Sequence, residues 1–195
     1  MSKENSKNES ETSTDEYQEI ILSIDIGKKN LGYTIYSPNS KFRFGIFNIT
    51  EELKKRKLKE NIEGRNTILI KWLTHIKHKY DITKIVVEKQ VIRNVVAMCI
   101  QSCITSYAIM KKIEIISFDP KLKFKFTGDT YNSQKKEHKK LAIKYATKTI
   151  NEIKPKAIKK FSLYKKQDDI SDSIVMALMS HSETDLKWYK KIIIA

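Results

Sequence analysis

The chain has 195 residues, 40% apolar and 31% charged, with 38 Lys and Arg against 23 Asp and Glu and a formal net charge of +15. This length and mix suit one soluble globular domain with room for a sizeable core. No apolar run approaches the ~20 residues that span a bilayer, and the polar N-terminus lacks the apolar core of a secretory signal.

Residues 1–18 are rich in Ser, Asn, Glu and Thr and read as a disordered tail. Over residues 1–19, Glu4, Glu9, Glu11, Asp15, Glu16 and Glu19 outnumber Lys3 and Lys7, which argues against a mitochondrial transit peptide. That net −4 over residues 1–19 leaves +19 on residues 20–195. A body so basic suits a polyanion such as nucleic acid, the plainer alternative being a lysine-rich solvated surface. The folded domain is assigned to residues 19–183 and a C-terminal tail to 184–195, whose apolar end, Ile192–Ala195, is expected to dock on the domain.

Ile20–Tyr36 reads as a β-hairpin: apolar residues around Ser23, then Asp25, a tight turn, and a second run of β-branched and aromatic residues. Gly27, Asn30 and Gly32 fall in or beside the turn. Lys41–Ile49 alternates as a third strand, completing an antiparallel meander. Residues 51–60 form a charged, partly helical connection. Asn61–Tyr80 carries Ile62, Ile68, Leu69, Trp72, Leu73 and Ile76 at helical spacing, which places Trp72 in the core. Lys84–Glu88 is a short buried strand, and its position after a helix places it parallel to the first strand. Val91–Lys112 is a long helix, apolar on more than one face and so either central or packed on a partner subunit.

Glu114–Phe118 is a fifth strand. Lys121–Gln134 is a basic loop with Phe124, Phe126 and Tyr131 set among lysines. Ser133 caps a lysine-rich helix at about Gln134–Ile150. Pro155 breaks the chain, residues 156–167 form a basic linker with one helical turn, and Asp168–Ser182 is the last helix, with Ile170, Ile174, Val175, Ala177 and Leu178 inward. The order β-β-β-α-β-α-β-α-α, without repeats, describes an α/β domain: a five-stranded mixed sheet with helices on both faces.

Carboxylates stand where such elements end. Asp25 closes the first strand and Glu88 the fourth, while Asp168, Asp169 and Asp172 open the last helix. An unpaired charge in an apolar strand costs several kcal/mol, so Asp25 calls for a cation, a metal or a ligand, unless it merely caps the turn. Acids at a helix N-terminus are also favoured by the helix dipole alone. Asp169 and Asp172 share a helix face, as do Asp168 and Asp172, so spacing leaves the second acid open. Gathered carboxylates repel unless a cation neutralises them, and oxygen-only ligands suit Mg²⁺ or Mn²⁺ rather than zinc. Two such ions activate a water and stabilise the leaving oxygen of a phosphodiester.

Three stretches stand out together: Ser-Ile-Asp25-Ile-Gly-x-x-Asn-Leu-Gly-Tyr, Ile-Val-Val-Glu88-Lys-Gln and Lys-Lys-Gln-Asp-Asp169-Ile-Ser-Asp172-Ser-Ile. In order and spacing, over residues 19 to about 182, they resemble the RuvC-type Holliday junction resolvases, and most nearly their poxvirus branch. The resemblance implies a ribonuclease H-like fold and a Mg²⁺-dependent homodimer, with Mn²⁺ able to substitute and two ions per active site. It implies an enzyme that nicks two opposed strands of a four-way DNA junction and leaves 5′-phosphate and 3′-hydroxyl ends. It assigns Asp25, Glu88, Asp169 and Asp172 as catalytic metal ligands, preferring Asp169 to Asp168. It calls for a catalytic lysine, Lys123 or Lys125, and for dimer contact through the helix 91–112. The poxvirus likeness implies work in the host cytoplasm. The acidic N-terminal extension has no counterpart.

Lys28, Lys29, Lys123, Lys125, Phe126, Tyr131, Lys135 and Lys136 are candidate DNA contacts. The aromatic residues among them either stack on unpaired bases or pack in the core. No small-molecule cofactor is expected. His75 and His78 read as surface histidines, and His138, among lysines, as exposed. Cys99 and Cys103, four apart on one helix, read as buried free thiols of a reducing compartment. Two alternatives remain. One is a ribonuclease H-like nuclease acting on RNA–DNA hybrid or flap substrates. The other is a non-catalytic architectural protein that binds junctions by charge.

Overall fold

The computed structural model describes residues 18–38, 40–122 and 135–181, apart from the side chains of Lys135 and Lys136. The strands are β1 (Ile21–Ile26), β2 (Asn30–Ser37), β3 (Lys41–Asn48), β4 (Lys84–Glu88) and β5 (Glu114–Phe118). They form one sheet in the order β3-β2-β1-β4-β5. β1, β2 and β3 make the antiparallel meander, and β4 runs parallel to both β1 and β5. A strand that follows a helix crossover must return in the same direction, which is why β4 lands beside β1.

The helices are α1 (Ile49–Lys55), α2 (Ile62–Tyr80), α3 (Val95–Met110), α4 (Lys135–Ile153), α5 (Ile158–Ser162) and α6 (Gln167–Met179), with a 3₁₀ turn at Pro155–Ala157. Asparagines open the first three. Asn48 Oδ1 accepts from the Glu51 N–H at 2.9 Å, Asn61 Oδ1 from the Gly64 N–H at 2.8 Å, and Asn94 Oδ1 from the Ala97 N–H at 3.4 Å. Each satisfies a backbone donor that the first turn leaves free.

Successive strand residues point to opposite faces, and the sheet builds one apolar layer on each. Leu22, Ile24 and Ile26 pack with Leu69, Leu73 and Ile104 of α2 and α3. Ile21 and Val86 pack with Ala146 and Ile150 of α4 and Ile170 and Ile174 of α6. Each fully buried Ile or Leu contributes about 1.5–3 kcal/mol. Exposed ion pairs such as Lys55–Glu52 are screened by water and contribute little, so burial on the two faces dominates the fold.

Several boundaries differ from the sequence reading. Gly32 stands beside the turn rather than in it, two places into β2. The third helix begins at Val95, because Asn94 caps it and Val91–Asn94 forms a separate turn. α4 runs on to Ile153, and the basic linker holds both a 3₁₀ turn and the short α5. Cys99 and Cys103 are free but half-buried rather than buried. His138 is half-buried, not exposed, while His75 and His78 are exposed as expected. Trp72 is half-buried at the core edge, stacked on Phe47 with ring centroids 4.6 Å apart. Among the described residues no helix is long and apolar enough to cross a membrane.

Candidate active site

Strand alternation decides where Asp25 points. Leu22, Ile24 and Ile26 enter the layer of α2 and α3, so Asp25 shares the face of Ile21, which is covered by α4 and α6. On β4, Val87 enters the first layer and Val86 the second, which puts Glu88 on the face of Asp25. Ile24 is level with Val87 in the parallel register, so Asp25 and Glu88 come next on strands spaced about 5 Å apart. The end of β4 is pinned from two sides. The Lys89 N–H donates to the Phe118 carbonyl of β5 at 2.8 Å, and the Gln90 N–H donates to Gln101 Oε1 of α3 at 2.9 Å.

α6 brings the other acids. Asp25 pairs across the hairpin with Gly32. The missing side chain of Gly32 lets the first turn of α6 rest on the strand: a Cβ there would stand 2.2 Å from the Asp169 carbonyl oxygen and 3.0 Å from the Ile170 nitrogen. Thr34, further along the same face, fixes the helix a turn later. Ser173 donates its hydroxyl proton to the Ile170 carbonyl at 2.8 Å, so Thr34 Oγ1 donates to Ser173 Oγ, also at 2.8 Å. The N-terminus of α6 therefore sits over Asp25, with Asp169 nearest and Asp172 on the next turn.

The α6 acids have different surroundings. Asp168 takes an ion pair from Lys139 of α4. Burial alone would raise its carboxyl, but the Lys139 hydrogen bond and charge bring it below the usual range. Asp169 is held above that range, first by burial and then by the charges of Asp168 and Asp172, against the opposing pull of Lys166 and Lys139. The hydrogen bond to Asp168 raises the Lys139 ammonium, burial opposes this, and the charges of Asp168, Asp169 and Asp172 add to the rise. Lys139 was not singled out from the sequence, where it is one of many lysines on a basic helix.

Asp25, Glu88 and Asp169 thus converge on one end of the sheet. The expected four-acid set is not closed: among the described residues, no three or more His, Cys, Asp or Glu side chains are arranged to hold a metal ion. The backbone pairing brings Asp25 beside Glu88 and under Asp169 without closing them into a cage. The chemistry of the set nevertheless fits a hard divalent cation. The donors are all oxygens, and the carboxyl of Asp169 is held up first by burial and then by the charges of Asp168 and Asp172, both of which a bound cation would offset.

Lys28 and Lys29 are exposed on the β1–β2 turn, just beyond Asp25. Lys123, Phe124, Lys125, Phe126, Tyr131 and Ser133 lie outside the described residues, as do the side chains of Lys135 and Lys136, though the backbone of the last two opens α4.

A five-stranded sheet in this order, with carboxylates at the ends of its two central strands and on the helix across them, defines the ribonuclease H-like class of nuclease folds. Two solved structures share the architecture. The yeast mitochondrial Holliday junction resolvase Ydc2 aligns with a TM-score of 0.61 at 19% identity, over 89% of this chain and 82% of that one. Thermus thermophilus RuvC aligns with a TM-score of 0.56 at 12% identity, over 82% and 91%. No curated protein matches the chain in sequence. The chain belongs to the Poxvirus A22 protein family, whose model matches residues 19–182. It is accordingly a junction-resolving nuclease, a crossover junction endodeoxyribonuclease.

Proposed function

We propose that the chain resolves four-way DNA junctions by paired symmetric nicks on opposed strands, as a metal-dependent homodimer. The observation that carries this reading is the placement of Asp25 and Glu88 side by side on parallel strands, under the first turn of α6. Thermus thermophilus RuvC has been solved in complex with a Holliday junction substrate, which supports branched DNA as the partner here.

Asp25, Glu88, Asp169 and Asp172 would hold two ions, Mg²⁺ or Mn²⁺. When bound, such ions lower the pKa of a coordinated water and stabilise developing charge on the phosphate oxygens. Asp25 is central in the set, between Glu88 on β4 and Asp169 across Gly32. The attacking water forms the new P–O bond in line with the bond to the 3′-oxygen. That bond breaks, leaving a 5′-phosphate and, after protonation, a 3′-hydroxyl. Lys123 or Lys125 would offset charge on the pentavalent phosphate. Lys139 pairs with Asp168, which supports Asp169 as the ligand.

The dimer reading rests on α3. Val91, Ile92, Val95, Ile109 and Met110 are 69%, 83%, 65%, 65% and 68% exposed. A groove of about 620 Å³ runs beside them, lined by Ile62, Ile70, Met98, Cys99 and Cys103. Large apolar side chains so exposed at both ends of this helix and on the turn before it support a face for a second copy. The poxvirus family supports the host cytoplasm as the place of work.

The decisive experiment is cleavage of a labelled four-way junction with Mg²⁺ and with EDTA, beside a linear duplex and an RNA–DNA hybrid. Symmetric, Mg²⁺-dependent, religatable nicks are expected. Binding without cutting would make this an architectural protein, and preference for the hybrid would make it a ribonuclease.

A further inference from the structure

The β1–β2 turn is held from outside the hairpin. Within it, the Gly27 N–H donates to the Asn30 carbonyl at 3.0 Å, a closure that a Cβ on Gly27 would obstruct, since it would stand 2.5 Å from that oxygen. The carbonyl of Lys29 accepts the Ile49 N–H, at the start of α1, at 2.8 Å. The carbonyl of Lys28 accepts Nη1 of Arg65, in the first turn of α2, at 2.5 Å. Arg65 Nη2 is paired with Glu60 Oε1, also at 2.5 Å. The Arg65 side chain is only 13% exposed, so its guanidinium is tucked under the turn rather than offered to solvent.

With both carbonyls drawn inward, the side chains of Lys28 and Lys29 are left exposed, three and four residues past Asp25. A planar guanidinium bridges two acceptors at fixed angles, which an ammonium cannot do.

We propose that Arg65 is a positioning residue that clamps the Gly27–Asn30 turn and holds Lys28 and Lys29 as a preformed grip for the DNA backbone beside the carboxylates. This rests on the reading of the chain as a junction nuclease. Phosphate contacts fix the register of the substrate, so the clamp acts on where the scissile phosphate lies and not on the chemical step. Arg65 itself touches no substrate.

The test compares wild type, R65A, R65K, the K28A/K29A pair and R65A combined with that pair, on a labelled four-way junction over a range of salt. R65A and R65K are both expected to raise KM about tenfold, on the order of one charged hydrogen bond, with a much smaller change in kcat. The slope of log Kd against log salt should fall by about 1–2, near 0.9 per lost phosphate contact. R65A should add nothing in the K28A/K29A background.

Full-strength binding by R65K beside weak binding by R65A would overturn the proposal, because charge alone would then suffice. Equal losses from R65A with and without the two lysines would overturn it, because Arg65 would then act globally or touch DNA itself. Unchanged binding by K28A/K29A would overturn it as well. If R65A fails to fold, R65K and E60Q carry the same comparison. A wild-type protein that neither binds nor cuts the junction would overturn the resolvase reading together with this proposal, whereas the other outcomes overturn the proposal alone.

Discussion

Gly32 of β2 and Asp169 of α6 meet backbone to backbone: a Cβ at Gly32 would fall 2.2 Å from the Asp169 carbonyl oxygen. This contact sets the height of α6 above Asp25, because Gly32 is the cross-strand partner of Asp25. No flexible side chain is available to give way. G32A is expected to lower stability by about 1–3 kcal/mol, as overpacking does. It should also abolish most cleavage by lifting Asp169 off the strand. Thermal melting and junction cleavage measured on the same preparation check this; wild-type cleavage by a destabilised G32A would show that the seating of α6 is irrelevant to the site.

Asp169 should trade stability for function. Burial, then Asp168 and Asp172, hold its carboxyl above the usual range. A carboxyl raised in the folded state favours folding in its protonated form, so its contribution turns unfavourable as pH rises through the unfolded and then the folded value. D169N is therefore expected to melt higher than wild type at neutral pH in EDTA, and to cut no junctions. Mg²⁺ should raise the melting temperature of wild type and have little effect on D169N. An equal Mg²⁺ shift in both proteins would remove Asp169 from the ligand set.

At the opposite end of β1, Glu19 pairs with Lys84 and, at 2.7 Å, with His181 Nδ1. Burial tends to raise the Glu19 carboxyl, but the hydrogen bonds and charges of Lys84 and His181 bring it below its ordinary value. Its stabilising effect is thus present above the unfolded pKa and lost as pH falls through the lower, folded one. Burial tends to lower the Lys84 ammonium, but Glu19 and Glu114 raise it overall, so its effect is present below the unfolded pKa and lost as pH rises through the folded one. E19Q should flatten the melting temperature against pH on the acid side and, more weakly, on the alkaline side. An acid limb as steep as that of wild type would show that Glu19 is not the group responsible.

Thr34 and Ser173 share a buried hydrogen bond between β2 and α6. T34V removes the donor while Ser173 keeps its bond to the Ile170 carbonyl. The expected cost is about 1 kcal/mol. The double variant T34V/S173A should be less destabilised than the sum of the single ones, since neither partner is then left unmatched. Additive losses in urea unfolding would mean that the two hydroxyls do not interact.

Most of the fold was legible because it is written locally. The alternation in Lys41–Asn48, the helical spacing of Ile68, Leu69, Leu73 and Ile76, and the strand–helix–strand order that sets β4 parallel to β1 are short-range patterns. Asp25 and Glu88 were legible for the same reason, as charges at the ends of apolar strands. Gly32 was not, since a glycine near a turn reads as part of the turn unless the helix lying on it is known. Spacing alone left Asp168 and Asp169 open, because both share a face with Asp172, and the pairing of Asp168 with Lys139, from a different helix, was hidden.

By itself, then, the sequence determined the elements, their order, the two layers of the core and the strand-end acids, all through periodicities of two and 3.6 residues. The tertiary structure alone decided which acid of α6 pairs with a lysine, which glycine makes room for the helix, and which arginine ties down the β1–β2 turn. Such contacts, like the one between Thr34 and Ser173, 139 positions apart, join residues distant in the chain. They form only after two elements have packed, and a contact between backbones leaves no periodic trace in either segment.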